Sequence, residues 1–291
     1  MKKINVAWDM ETADPDDVFT LCLLSHHPLV NLVSVTVTPG SKYQIGLVKH
    51  ILNLLGKDIP VGSKNKDHPK HCVSDFHYTW LGQIPPADPD STGANILMDM
   101  ASTYPDLTII CGASLGNIGA LLDFDRIDLK KIVIQGGFAG DNIVSPENIL
   151  EKFKGKTTCP TFNLNGDVPS AIKVLESSRI KERWFVSKNV CHGVKYDSDM
   201  HHFMEPYRHK NPGLELIYNG MTKYLCKRPD GKAFHDPLAA CCAINPDICK
   251  FEDVEIYRHK GEWGSRKSDK INAKISVQVD MDKFRMTLVG E

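Results

Sequence analysis

Apolar positions recur along the first two thirds of the chain in two alternating rhythms. Short runs rich in β-branched and aromatic residues, INVAW (4–8), LVSVTVT (32–38), LTIICGA (107–113), KIVIQGG (131–137) and RWFVSKNV (183–190), predict strands. Between them, apolar residues three and four apart predict helices over 16–26, 42–56, 92–104, 115–123 and 168–178, the second stopped by Gly56. Strand then helix, repeated, predicts an α/β fold: an open, mainly parallel sheet flanked by helices on both faces. A long helical region is expected from about 198 to 246, and VEIYRH (254–259), KISVQVD (274–280) and FRMTLV (284–289) read as extra C-terminal strands. No linker rich in Gly, Ser or Pro and no repeat divides the chain, so residues 1–291 are expected to form one domain.

Charge narrows the choice of ligand. The 35 Lys and Arg against 36 Asp and Glu leave a net charge of -1, which offers no electrostatic footprint for nucleic acid or an anionic membrane. A small molecule is the expected partner. No window approaches the ~18 uninterrupted apolar residues of a membrane span, and residues 1–20 contain no signal-like apolar stretch, so a cytoplasmic location is expected. The nine Cys include no CxxC and place Cys241-Cys242 in an apolar run, which suits reduced, buried thiols.

Open parallel sheets bind ligands outside the carboxyl ends of their strands. Those ends carry Asp9, Gly40-Ser41, Ser114-Leu115-Gly116-Asn117, Gly136-Gly137 and Cys191-His192. The first belongs to WDMETADPDDVF (8–19), with five acidic residues between Asp9 and Asp17. Helix capping accounts for part of this density: Asp14 suits the N-cap, Pro15 the first turn, and Asp16 and Asp17 the positive end of the dipole. Asp9 and Glu11 precede the helix and are left over. Oxygen-rich clusters also suit Ca²⁺ or Mg²⁺, whose charge relieves the repulsion, and both uses draw on the same residue types. A second acidic start, FHDPLAACCAI (234–244), sets His235 beside Asp236-Pro237; by itself it too reads as a cap with an ordinary histidine.

Taken in order, these two stretches with CGASLGN (111–117) and GGFAGDNIVSP (136–146) between them resemble the inosine-uridine preferring nucleoside hydrolase family, metal-dependent N-ribohydrolases. The resemblance covers nearly the whole chain. The family's acidic motif, Asp-x-Asp-x-x-x-Asp-Asp, has its counterparts in Asp9, Glu11, Asp16 and Asp17, with Glu for the second Asp and one extra residue of spacing. VTVTPGS (35–41) is similar to a family strand that ends in Gly-Asn, with Ser41 for the Asn. FHYTWLGQI (76–84) resembles its flexible loop and places His77 and Trp80 as candidate contacts to the base. Gly116 stands at a residue whose backbone carbonyl binds the metal, Asn142 and Asn163 at ribose-contacting asparagines, and Thr161 where the family has Glu.

The resemblance implies the nucleoside hydrolase fold, hydrolysis of the N-glycosidic bond of a ribonucleoside or related riboside, one bound Ca²⁺, and a homo-oligomer, dimer or tetramer. It implies Glu11, Asp17, the Gly116 carbonyl and Asp236 as metal ligands, with Asp9 as a ligand or just behind them. Asp16, Asn142, Thr161, Asn163 and Asp236 are the expected ribose contacts. Cleavage through an oxocarbenium-like sugar needs an activated water and help for the leaving base, roles that fall to Glu11 and His235. Thr161 removes a carboxylate near the 5′ end of the sugar, and the insertion ENILEKFKGKTTC (147–159) adds Lys152, Lys154 and Lys156, with Lys42 further off. A 5′-phosphorylated substrate is therefore the expected variation, with solvated surface lysines as the plain alternative. Two other functions compete. DMET after a strand resembles the Asp-x-Asp-x-Thr of haloacid-dehalogenase-like phosphatases, and the departures at Glu11 and Thr161 also suit an inactive, ligand-binding relative.

Overall fold

A computed structural model describes residues 3–125 and 127–291. In chain order, its first half runs β1 (Ile4–Met10), α1 (Pro15–His26), β2 (Val30–Val37), α2 (Lys42–Leu54), β3 (Val61–Ser63), α3 (Asp75–Leu81), β4 (Ser91–Thr92), α4 (Gly93–Thr103), β5 (Thr108–Cys111), α5 (Gly116–Leu121) and β6 (Leu129–Gln135). The second half adds β7 (Thr158–Cys159), α6 (Phe162–Gly166), α7 (Val168–Glu176), β8 (Ile180–Val186), α8 (Lys188–Cys191), β9 (Lys195–Tyr196), α9 (Ser198–Met204) and α10 (Pro212–Lys227). It closes with β10 (Lys232–Ala233), α11 (His235–Ile244), β11 (Cys249–His259), β12 (Glu262–Arg266), β13 (Ala273–Val279) and α12 (Met281–Leu288).

An eleven-stranded sheet orders these strands β4-β3-β2-β1-β5-β6-β8-β13-β11-β12-β7. Every pairing from β4 through β13 is parallel, and β11, β12 and β7 then add on antiparallel. The α/β fold expected from the sequence is the one observed, extra C-terminal strands included. Alternation along β1 serves two layers at once: Val6, Trp8 and Met10 join the core shared with α1, α10 and α11, and Ala7 joins the core shared with α4, α5 and α7. Because Asp9 follows Ala7 by two, it faces the second layer.

Two expectations need correction, and one strand carried no signal. FRMTLV is the end of α12 and no strand: Asp280 caps it by accepting from the Asp282 and Lys283 amides, and Phe284 and Leu288 are buried one turn apart. The region 198–246 is no continuous helix. Lys232–Ala233 interrupts it as a strand paired with Lys195–Tyr196, which delivers Lys232 to the sheet's rim. In β12, EWGSR lacks clean alternation, but Lys260 and Gly261 turn at φ 48° and 86° and fold it back on β11 as a two-residue hairpin.

Candidate active site

The acidic residues of 9–17 do not share one task. Asp9, at the end of β1, is fully buried; its carboxylate accepts from the Thr36 hydroxyl (2.7 Å), the Asn117 amide (2.8 Å) and the Cys111 thiol (3.4 Å). It ties β2, β5 and α5 together from behind the rim, and burial lifts its pKa to about 6 against those hydrogen bonds. Asp17 accepts from the Glu11 backbone N–H at 2.9 Å, which ties the loop after β1 to the first turn of α1. Asp16 reaches across to α11, accepting from the His235 and Asp236 amides at 3.0 and 3.2 Å. Asp14, the expected cap of α1, makes no capping hydrogen bond; its carboxylate pairs with Lys232 instead.

Carboxylate oxygens of Asp16, Asp17 and Asp236 lie within 4.8 Å of one another, all buried. Burial first, and then Asp236, Glu11 and Asp16, push the Asp17 carboxyl well up; burial and Asp16 do the same for Asp236. Glu11 is raised to about 7 by burial, Asp14 and Asp16. Such a cluster is costly when ionised and uncompensated, and its all-oxygen donor set fits a hard divalent cation. Gly112 makes the approach possible, since a Cβ there would meet the Asp236 carboxylate and the Trp8 ring. A single fixed cation already helps. Lys232, almost wholly buried, stands 2.9 Å from Asp14 and 3.1 Å from Asp16; burial alone would lower its pKa, but the two carboxylates hold it above the usual range.

Glu11, Asp14, Asp16, Asp17 and Asp236 line a cavity of about 480 Å³ with Gly112, Gln135, Phe162, Asn163 and His235. Asn163 is held by the Gly112 and Gln135 carbonyls and by the Gln135 side chain, at 2.8 to 3.0 Å. The His235 ring stacks on His192 with centroids 4.8 Å apart, and its Nε2 has no hydrogen-bond partner. Burial, then Lys232, lowers its pKa to about 4, so it is neutral at physiological pH.

Of the residues singled out in the sequence, Glu11, Asp16, Asp17, Asn163, His235 and Asp236 line this cavity; Asp9 lies behind it. Asn142 is not among the lining residues, and its amide donates to the Ser265 carbonyl at 2.7 Å. Gly116 begins α5 outside the lining, with the Lys64 ammonium packed where a Cβ would stand. Thr161 is buried beside the lining residue Phe162, its hydroxyl without a partner. His77 is fully buried with Nε2 3.2 Å from the Thr12 carbonyl, and Trp80 packs into an aromatic cluster with Phe19 and Phe76, so both are core residues here. Lys42 pairs with Asp88 and Lys154 with Glu151, whereas Lys152 reaches His192 at 2.7 Å. Sequence reasoning passed over Lys232, Gly112, Gln135 and Phe162. Only Phe162 carried a local signal, an aromatic beside Asn163, and it stands 75% exposed at the cavity.

A larger groove, about 680 Å³, runs between α7 and the β11-β12 hairpin. It has no clustered carboxylates, and its Arg183 and Glu255 are spent on the Val174 carbonyl and on Arg266. The chemistry therefore belongs to the smaller cavity.

A parallel sheet with buried, oxygen-only donors at the carboxyl end of its first strand defines a class of α/β protein whose site suits a hard divalent cation. The chain belongs to the inosine-uridine preferring nucleoside hydrolase family, whose sequence pattern matches residues 6–286, and it is an N-ribohydrolase by that membership. An uncharacterized protein of Aquifex aeolicus is 28% identical over 97% of this chain and 96% of its own length. Among solved structures, an inosine-guanosine nucleoside hydrolase superposes with a TM-score of 0.74 at 16% identity, covering 98% of this chain and 97% of that one. The inosine-uridine preferring nucleoside hydrolase of Bacillus anthracis does so with a TM-score of 0.71 at 17% identity, over 100% and 99%. Among the described residues no helix is long and apolar enough to cross a membrane.

Proposed function

We propose that residues 1–291 act as one domain that hydrolyses the N-glycosidic bond of a ribonucleoside or related riboside, free or 5′-phosphorylated, with Ca²⁺ as the metal. The observation that carries this reading is the buried meeting of Asp16, Asp17 and Asp236 in a cavity large enough for a nucleoside. Asp17, Asp236 and Glu11 would hold the cation, with a backbone carbonyl from the turn 112–116, assigned to Gly116 by the family resemblance. When bound, the ion supplies charge that lowers the pKa of a coordinated water and anchors vicinal hydroxyls.

The chain's own residues supply the rest. Glu11, a carboxylate on the cavity wall, is suited to take a proton from the attacking water, whose oxygen bonds to C1′ as the C1′–N bond breaks. Asp16, Asn163 and Asp236 orient the ribose hydroxyls. His235, neutral and with Nε2 unpaired, donates a hydrogen bond to the departing base in the tautomer that carries its proton there. Phe162 offers an exposed ring on which that base can stack. The same reading makes the protein a cytoplasmic homo-oligomer of nucleoside salvage, its assembly checkable by light scattering.

The deciding assay measures reducing sugar released from a panel of ribonucleosides and their 5′-monophosphates, with Ca²⁺, with Mg²⁺ and with chelator. Release that needs the cation and vanishes in Asp17→Ala supports the reading. Full activity in a metal-free preparation would overturn the mechanism, and cation binding without turnover would favour a non-catalytic relative.

A further inference from the structure

Two lysines stand behind the cavity lining, and among the described residues no carboxylate pairs with either. The Lys152 ammonium lies 2.7 Å from His192 Nδ1, and the His192 ring stacks on His235, which lines the cavity. From the other side, Lys188 donates to the Pro160 carbonyl at 2.8 Å, one residue before buried Thr161 and two before Phe162 of the lining. Among the described residues neither lysine forms an ion pair, although Lys154 beside them is paired with Glu151. Burial first, and then His235 and both lysines, depress the pKa of His192 to about 3, so both lysines stand close enough to act on that ring. Thr161 adds an independent sign, a hydroxyl in a residue only 2% exposed that has no hydrogen-bond partner. A buried donor left unpaired is unfavourable, and a water, an ion or a ligand group that reaches it relieves that cost.

We propose that Lys152, Lys188, His192 and Thr161 form a phosphate subsite of the cavity, and that the riboside it selects is a nucleoside 5′-monophosphate. The inference rests on the riboside reading of the site. With the vicinal hydroxyls held at the carboxylates, the substituents left to meet this wall are the base on C1′ and the CH₂O group on C4′. Common bases are uncharged. A phosphate monoester on the C4′ arm is nearly dianionic and accepts charge-assisted hydrogen bonds from ammonium groups and a hydroxyl. Lys152 comes from the segment 147–159 and Lys188 from the start of α8, so two separate parts of the chain converge on one anion.

The test uses the Ca²⁺-loaded full chain and compares kcat/KM for inosine and uridine with that for their 5′-monophosphates, in the wild type and in Lys152→Met/Lys188→Met. Methionine keeps most of the side-chain length without the charge, and Lys152→Glu alone serves as a second variant should the double one fold poorly. Calorimetric titration with ribose 5-phosphate and with ribose runs in parallel. The expected result is a preference for the monophosphates of tenfold or more that falls at least tenfold in either variant, with the same loss for ribose 5-phosphate over ribose. Equal or better use of free nucleosides by the wild type overturns the subsite. So does a variant that slows both substrates alike, because the lysines would then be assisting the departing base. If neither substrate class is cleaved, the hydrolytic reading falls, and the ribose 5-phosphate titration still decides the subsite by itself.

Discussion

Glu11 and Lys232 both act on Asp14 and Asp16 with opposite charge, and each can be tested alone. Glu11 is only partly buried, so its carboxyl, raised to about 7, can exchange protons with a water in the cavity. Glu11→Gln keeps the size of the side chain and removes the basicity; kcat should fall by about 10² or more, as general-base losses do, with a much smaller change in the dissociation constant of a ribose-containing inhibitor. An undiminished kcat would hand the base role to Asp14, which also lines the cavity, since Asp9 lies behind it. Lys232 is the fixed counter-charge of Asp14 and Asp16, and Lys232→Met leaves buried Asp16 uncompensated. Removing one partner of a buried pair costs about 3–5 kcal/mol; the lower end applies because the Asp14 side chain is 51% exposed. Urea unfolding of the metal-free variant should show this loss, and Ca²⁺ should restore part of it.

At the scale of elements, the link between α1 and α11 is set by Asp16. The first amides of α11 have no side-chain acceptor of their own, since Phe234 occupies the cap position; Asp16 accepts from two of them across the interface. An N-cap acceptor is worth roughly 1–2 kcal/mol. Asp16→Ala should therefore lose at least that much stability in saturating Ca²⁺, with a further loss because buried Lys232 is left with Asp14 alone, whereas Asp16→Asn, which keeps an acceptor oxygen, should lose less. Equal losses in urea titrations would mean that packing, and not the cap, seats α11. This division of labour also explains why an acidic helix start was open to two readings in the sequence. Asp14, Asp16 and Asp17 all occupy capping positions of α1, but their side chains go to Lys232, to α11 and to the Glu11 amide. Local spacing does not encode where α11 or the strand that carries Lys232 will lie.

For the whole molecule, pH couples to the cation. Asp9 and Glu11 are raised to about 6 and 7 from ordinary values near 4, so the folded chain holds these protons more tightly than the unfolded one. Their contribution to stability is greatest at low pH and declines as pH rises through roughly 4 to 7. His77, His192 and His235 act in the opposite sense: lowered to about 4, 3 and 4, they add stability at neutral pH that is lost as pH falls below about 6.5. A plain stability profile mixes the two sets. The difference in Tm between Ca²⁺-loaded and chelated protein isolates the carboxylates, because protons and cation compete for them. That difference should be large at pH 8 and shrink towards pH 5. A cation effect equal at both values would place the metal somewhere other than at these acids.

The sequence by itself determined the alternation of strand and helix, because a strand buried on both faces must be apolar throughout while the helices that cover it need only one apolar stripe. It also determined that acids and glycines stand at the carboxyl ends of β1, β5 and β6, and the family to which the chain belongs. Only the tertiary structure decided which side chains meet. Glu11, Asp17 and Asp236 converge because α1 and α11 pack side by side on one face of the sheet, more than two hundred residues apart in the chain. The same packing takes Trp80 into the core, turns Asn142 to Ser265, and brings in Lys232 on a two-residue strand too short for any periodicity to reveal. A residue's type and its neighbours in sequence set what chemistry it can do; the distance to a partner on another element is fixed by how the layers pack, and no local pattern records that distance.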